Sequence, residues 1–364
     1  QPSNEPETPM KKPQLEFLRS LCEAITPSGS ETAGQRLVAD YVRPFADSVS
    51  LDCHGNLHAV LNAGAPVRVM LDGHCDEIGL MVQHVDEKGF IYVQPIGGVN
   101  TQLLSGERVV FQGPKGLVRG VIGRKAIHLM SAKEREEGIK DISDLWVDIG
   151  ATSADEALKA LPLGSAGIVE SGWRELMNGL VSARAFDDRA GVFVVAEAFR
   201  RLKGRKLNVA VHAVSATQEE VGLLGATTAA YGIDPHAGIA VDVTFASDDP
   251  GGQPKKTGVI KVGGGPVLGV GPTYDPALNT CLREAAEAAK LPLQIQPRAR
   301  GNGTDAFAIR HTRAGVPVAQ VSIPLRYMHS AVELVSLSDL DQCAQMIADA
   351  VAAMPAKPKF GLRL

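Results

Sequence analysis

Long apolar runs are missing from this chain. No stretch of its 364 residues approaches the roughly 20 consecutive apolar residues that a bilayer span requires, and the opening QPSNEPETPMKK lacks the apolar centre of a secretory signal. An excess of one charge is missing too. With 37 Lys and Arg against 41 Asp and Glu, the net charge of -4 gives no electrostatic footing for nucleic acid or an anionic membrane. Cysteine is scarce and unpatterned: Cys22, Cys53, Cys75, Cys281 and Cys343 are odd in number and show no CxxC spacing. Neither a disulfide framework nor a thiolate zinc site is indicated, and a reducing, cytoplasmic location is expected.

What is present is ordinary globular material, 45% hydrophobic and 21% charged. The length predicts two domains. Residues 1–9 read as a disordered tail, with Met10 a plausible start. Amphipathic helices are expected at 14–24 and 31–45, separated by the turn TPSGSE. SLDC and LHAVLN flank HGN as a hairpin, and VRVML is the short, wholly apolar run of a buried central strand. Over 83–177 the texture changes to short strands between Gly- and Pro-containing turns, the mark of a small β-rich insert. Strand and helix then alternate to the end. The fold expected is an α/β/α sandwich with a mixed, mostly parallel sheet, formed by 1–82 and 178–364 and interrupted by the β insert at 83–177.

Chemistry gathers where strands end. LDGHCDEIGL sets His74 and Asp76 on one face of an extended segment and Cys75 on the other. LNVAVHAVSA runs into TQEEVG with Glu219 and Glu220, AGIAV into Asp242, and VPVAQVSIP into LRYMHS with His329, while ARAFDDRAG puts Asp187 and Asp188 before a helix. Ligands of open α/β sheets collect outside the carboxyl ends of strands, so these segments converge. Several carboxylates brought together without cations repel one another and resist ionisation, a conflict that divalent metal removes. Two histidines with three or more carboxylates suit zinc, cobalt or manganese, provided one carboxylate bridges two sites. Of the adjacent acids Glu219 and Glu220, one can bind metal while the other takes a proton; Asp76 can orient the His74 imidazole.

Each element alone has a plainer reading. HxD pairs arise by chance, QEE suits a solvated helix start, and DDRAG suits a helix cap with acid in its first turn. Their joint placement decides for chemistry. The remaining histidines lack carboxylate company, and VGGGPVLGVG has dinucleotide-loop spacing but no helix directly after it, so it reads as a turn between strands. In PRARGNGT, Arg298 or Arg300 could face an acidic substrate group, although a solvated loop is the expectation.

GHCDEIGLMV, ARAFDDRAG, SATQEEVGLLGA, VDVTFASDDPG, GNGTDAFAI and IPLRYMHS, in this order, resemble the tetrahedral (glutamyl or deblocking) aminopeptidases, a family of di-metal peptidases. The resemblance covers nearly the whole chain. It implies that His74, Asp187 and Asp242 bind one metal and that Asp187, Glu220 and His329 bind the other, with Asp187 as bridge. It further implies Glu219 as general base, Asp76 as the residue orienting His74, and peptide hydrolysis at the N-terminus by a hydroxide bridging two divalent ions, zinc or cobalt with manganese as a further option. A PDZ-like insert making subunit contacts is implied as well, with dimers assembling into a dodecamer. The family has at times been labelled cellulase, so a glycosidase using two metal-free carboxylates is the rival enzyme. A peptide-binding scaffold resting on the insert is the non-enzymatic rival.

Overall fold

The computed structural model describes residues 10–301 and 303–361; the tail expected at 1–9 lies outside them. Helices α1 (Lys12–Glu23) and α2 (Thr32–Val42) come first, and Phe17, Leu18, Leu21 and Cys22 of α1 form the buried stripe that three-to-four spacing dictates. Strands β1 (Ser48–Leu51) and β2 (Leu57–Leu61) make the expected antiparallel hairpin. The apolar run becomes β3 (Arg68–His74), buried at every position after Arg68.

Just past the GHCDE tip the chain leaves this sheet. Strands β4 (Gly79–Val85), β5 (Ile91–Ile96), β6 (Arg108–Gly113), β7 (Gly116–Gly123), β8 (Trp146–Asp148) and β9 (Ala166–Val169) close a barrel in the order β4-β5-β8-β7-β6-β9. Two short helices, α3 (Ala132–Glu137) and α4 (Ala154–Ala160), lie between its later strands. Inward side chains such as Leu80, Val82, Ile91, Val109, Phe111 and Val147 give the barrel its own core.

The chain then continues through β10 (Arg174–Glu175), β11 (Leu180–Ala183), α5 (Phe186–Leu202), β12 (Ala210–Ala216), α6 (Leu224–Ile233), β13 (Ala237–Phe245) and α7 (Pro254–Thr257). It ends with β14 (Val267–Val270), α8 (Pro276–Ala288), β15 (Gln294–Pro297), α9 (Asp305–Arg310), β16 (Val318–Leu325), β17 (Glu333–Ser336) and α10 (Leu337–Ala353). The main sheet runs β1-β2-β12-β3-β13-β16-β14-β15. It is parallel across β12, β3, β13 and β16 and antiparallel where β2 meets β12 and β14 meets β16.

Alternation along the strands sorts the core into two layers. Val69 and Leu71 of β3 pack with α1, α2, α5, α8 and α10, whereas Met70 of β3, Val214 of β12 and Ala240 of β13 pack with α6 and α9. Helices therefore cover both faces, the α/β/α sandwich expected from sequence. A small sheet of β10, β11 and β17 was not expected; strands of two to four residues are too short for alternation to register. No described helix is long and apolar enough to cross a membrane.

Candidate metal centre

Because β12, β3, β13 and β16 run parallel, their carboxyl ends reach one edge of the sheet. His74 is the last residue of β3 and shares a face with Met70 and Asp72, while Asp242 shares a face with Ala240. A glycine contact brings α5 to the same place. A Cβ on Gly73 would fall 2.8 Å from the Gly191 carbonyl carbon and 2.9 Å from the Val192 nitrogen, so only glycine lets helix and strand approach this closely.

That approach separates the two acids of the DDRAG segment. Their shared peptide bond is cis, and both residues have non-helical dihedrals although α5 begins at Phe186. Asp188 turns inward, where Oδ1 accepts the Gly191 N–H at 3.0 Å as a cap and Oδ2 accepts the His74 N–H at 3.2 Å. Asp187 turns toward the sheet edge. Its Oδ1 lies 3.3 Å from His74 Nε2 and its Oδ2 lies 3.3 Å from His329 Nε2.

Glu220 Oε1 stands 3.6 Å from His329 Nε2, and Glu219 Oε2 stands 3.7 Å from His74 Nε2. Among the described residues, donor atoms within 4.8 Å of one another form three sets: His74 with Asp187 and Asp242, Asp187 with Glu220 and His329, and His74 with Glu219 and Glu220. Asp76 sits behind them, its Oδ1 3.4 Å and its backbone carbonyl 3.2 Å from His74 Nδ1. Its carboxylate also accepts the N–H groups of Glu219 at 3.0 Å and Glu220 at 3.2 Å and the Ser28 hydroxyl at 2.6 Å. The structure thus brings all seven residues singled out from sequence to one place.

The electrostatics of the cluster call for positive charge. Burial, reinforced by Asp187, pushes the Asp242 and Glu220 carboxyls each up to about 8. Burial, with Asp242, Asp305 and Glu220 nearby, pushes Glu219 up to about 10. The Asp187 contact raises His329 to about 10, and His74 is raised by Glu219, Asp187 and Asp76 against the opposing effect of burial. Acids that keep protons beside imidazoles that gain them are a site deficient in cations. The nitrogen and oxygen donors present fit a borderline divalent metal.

Several residues that support the cluster escaped sequence reasoning. Buried Glu333 accepts the Asp187 N–H through Oε2 and the His329 N–H through Oε1, both at 2.9 Å, so one side chain fixes two candidate ligands. Its only signal was an acid four positions after His329. Gly98, just past β5 in the barrel, offers its carbonyl to His329 Nδ1 at 2.8 Å. A carbonyl can only accept, so Nδ1 carries a proton, which leaves Nε2, the nitrogen facing Asp187 and Glu220, as the one a cation could take. A Cβ on Gly98 would come within 2.7 Å of that ring nitrogen. The carboxylates of Asp72 and Asp305 are buried with no hydrogen-bond partner among the described residues, and burial pushes both well above the usual carboxylate range. The signal for Asp72 was an acid inside an apolar strand.

Two neighbours of the ligands are excluded from the site. Cys75 points to the opposite face, as expected, and packs so tightly on α2 that a Cβ on Gly34 would lie 2.5 Å from its sulfur. Glu77 is held by Arg184 and Arg189. The arginine-rich loop divides: Arg300 is exposed, but Arg298 lines a cavity of about 250 Å³ shared with Glu219, Glu220, Asp242 and His329.

The chain matches the family described as M42 glutamyl aminopeptidase over residues 55–346. It is 38% identical over 335 residues to the lysyl aminopeptidase of Pyrococcus furiosus, covering 91% of this chain and 94% of that one. Its fold is similar to that of the TET aminopeptidase of a marine sediment Thaumarchaeota archaeon, at 34% identity and a TM-score of 0.88, with 94% of this chain and 96% of that chain covered. It is also similar to the TET1 peptidase of Pyrococcus horikoshii, which can assemble into a tetrahedron or a large octahedral shell, at 30% identity and a TM-score of 0.82, with 93% and 99% covered. Matched over residues 55–346 and 38% identical to a relative across most of both chains, the chain belongs to the M42 glutamyl aminopeptidase family of peptide hydrolases.

Proposed function

We propose that this aminopeptidase works with two divalent cations, zinc or cobalt with manganese as a further option. His74, Asp187 and Asp242 would hold one, and Asp187, Glu220 and His329 the other. The observation that carries this reading is Asp187, whose two oxygens each face a different histidine at 3.3 Å, the disposition a shared ligand needs. When bound, the cations would supply Lewis acidity toward a peptide carbonyl and acidify a water between them.

The chain's own residues handle the proton. Glu219 takes it from the attacking water and returns it to the leaving amine, a role suited to the one acid of the adjacent pair that stands outside the two ligand sets proposed above while lying 3.7 Å from His74 Nε2. Asp76 positions a candidate ligand and the base together, since it contacts His74 and fixes the Glu219 backbone. Glu219→Gln keeps its metal content near wild type and loses roughly 10³-fold in kcat on an aminoacyl anilide; a variant that still turns over at the wild-type rate would remove Glu219 from this role. The glycosidase alternative finds no support here, because the acids are interleaved with imidazoles that two metal-free carboxylates would not need.

The same reading extends to assembly. With 83–177 as insert and 1–82 with 178–364 as catalytic body, dimers build a dodecamer that admits peptides. Support comes from the tetrahedral relative and from apolar side chains left in solvent, Ile127 at 61% and Leu129 at 72% exposure among them. The mass of the particle in solution tests it.

A further inference from the structure

Two loops bring the shared aspartate and the loop-borne histidine to the cluster, and neither loop holds its shape by local preference. One runs from the end of β11 at Ala183 to Asp187 and passes through Ala185 at φ 60°. The other is pinched between Arg326 and Leu334, whose backbones exchange two N–H bonds at 3.1 Å, and it passes through Tyr327 at φ 65° and His329 at φ 60°. Left-handed residues other than glycine are costly and persist only where the surroundings over-determine them. An anchor outside each loop is therefore required.

The small sheet of β10, β11 and β17 supplies it. β11 pairs antiparallel with β17, Ala183 opposite Glu333, so the strand that leads into Asp187 lies beside the strand that follows His329. From that position Glu333, 2% exposed, accepts the Asp187 N–H through Oε2 and the His329 N–H through Oε1, each at 2.9 Å. Both its oxygens are thus engaged by backbone, and it belongs to none of the three donor sets formed among the described residues. It is placed to hold ligands rather than to be one. The residue type is specific as well. Two N–H groups converging on one side chain need two acceptor oxygens, and an amide of the same shape would turn its own NH2 toward one of them.

Resting on the two-cation reading above, we propose that Glu333 is a positioning residue that sets Asp187 and His329 on one frame and, through the shared Asp187, supports both cations. The Asp187 backbone fixes where its two oxygens stand, one 3.3 Å from His74 Nε2 and the other 3.3 Å from His329 Nε2. The influence of Glu333 therefore extends to the strand-borne set. That separates it from Gly98, whose carbonyl acts on the His329 ring.

The test titrates zinc or cobalt into the metal-free full chain, with the visible absorption of the cobalt-loaded chain as a second readout. Glu333→Gln weakens both equivalents by roughly 10- to 100-fold, the range for a group that orients a ligand, and shifts the cobalt bands. Glu333→Asp keeps two acceptors on a stem one methylene shorter and also weakens both. Affinities and bands at wild-type values in Glu333→Gln overturn the proposal even where the denaturant midpoint of the metal-free chain falls, since that result marks a purely structural residue. Weakening of one equivalent alone overturns it too, because Asp187 is then not held by Glu333. If Glu333→Gln does not fold, Glu333→Asp decides by the same criteria. A wild type that binds fewer than two equivalents defeats the two-cation reading and the proposal together; a wild type that binds two, matched by Glu333→Gln, defeats the proposal alone.

Discussion

His74 and Asp242 are held by the sheet, whereas Glu220 and His329 are held by loops, and the two halves of the cluster differ accordingly. His74 ends β3, which is paired on both sides, and its side chain is 2% exposed; Asp242 lies in β13 between β3 and β16. Glu220 and His329 stand beyond the ends of β12 and β16, and the His329 side chain is 31% exposed. His329 depends on Glu333 from the next strand and on Gly98 from the barrel. One half is fixed once the sheet forms. The other is complete only when separate pieces of the chain have met, and such elements open at lower free energy.

The largest expected effect concerns the residue common to both halves. Asp187→Ala removes a ligand from each set, so metal content falls to near zero and kcat/KM drops by at least about 10³-fold; a variant retaining one equivalent per chain, by elemental analysis, would show the halves to be independent. Next comes stepwise chelation of the wild type, in which the loop-borne equivalent leaves first. His329→Ala abolishes that early phase, and Asp242→Ala abolishes the late one. Loss of both equivalents in a single phase would erase the distinction.

A smaller effect is expected at Gly98. Adding a methyl group in Gly98→Ala displaces the His329 ring and weakens the loop-borne set by about 10-fold, the usual range for a group that orients a ligand, while the strand-borne set keeps its affinity in a metal titration. The smallest is at Cys75, which shares the tip with His74 but faces the core. Cys75→Ala costs about 1 kcal/mol in denaturant unfolding and leaves metal content unchanged.

The same contrast governs what the sequence disclosed. Central strands were legible because burial on both faces demands continuous apolar runs, and a histidine or acid at the end of such a run is conspicuous; His74, Asp242 and His329 were found in that way. Glu219 and Glu220 were conspicuous as a pair. Glu333 and Gly98 act by accepting N–H bonds at one or two atoms, and the Gly98 contact spans 231 positions of chain, so no local pattern marks them. β14 and β15 lie in glycine- and proline-containing segments whose composition resembles that of loops. Arg298 was read as part of a solvated loop for that reason, and only the strand before it reveals which arginine turns inward.

The carbonyl that Gly98 lends to His329 ties the barrel to the cluster at the sheet edge. Exchanging that module for another of equal size, or excising it and rejoining the ends, would leave an imidazole free to rotate and to choose the wrong tautomer. Modular engineering of this chain must therefore treat a single backbone oxygen as part of the reaction centre.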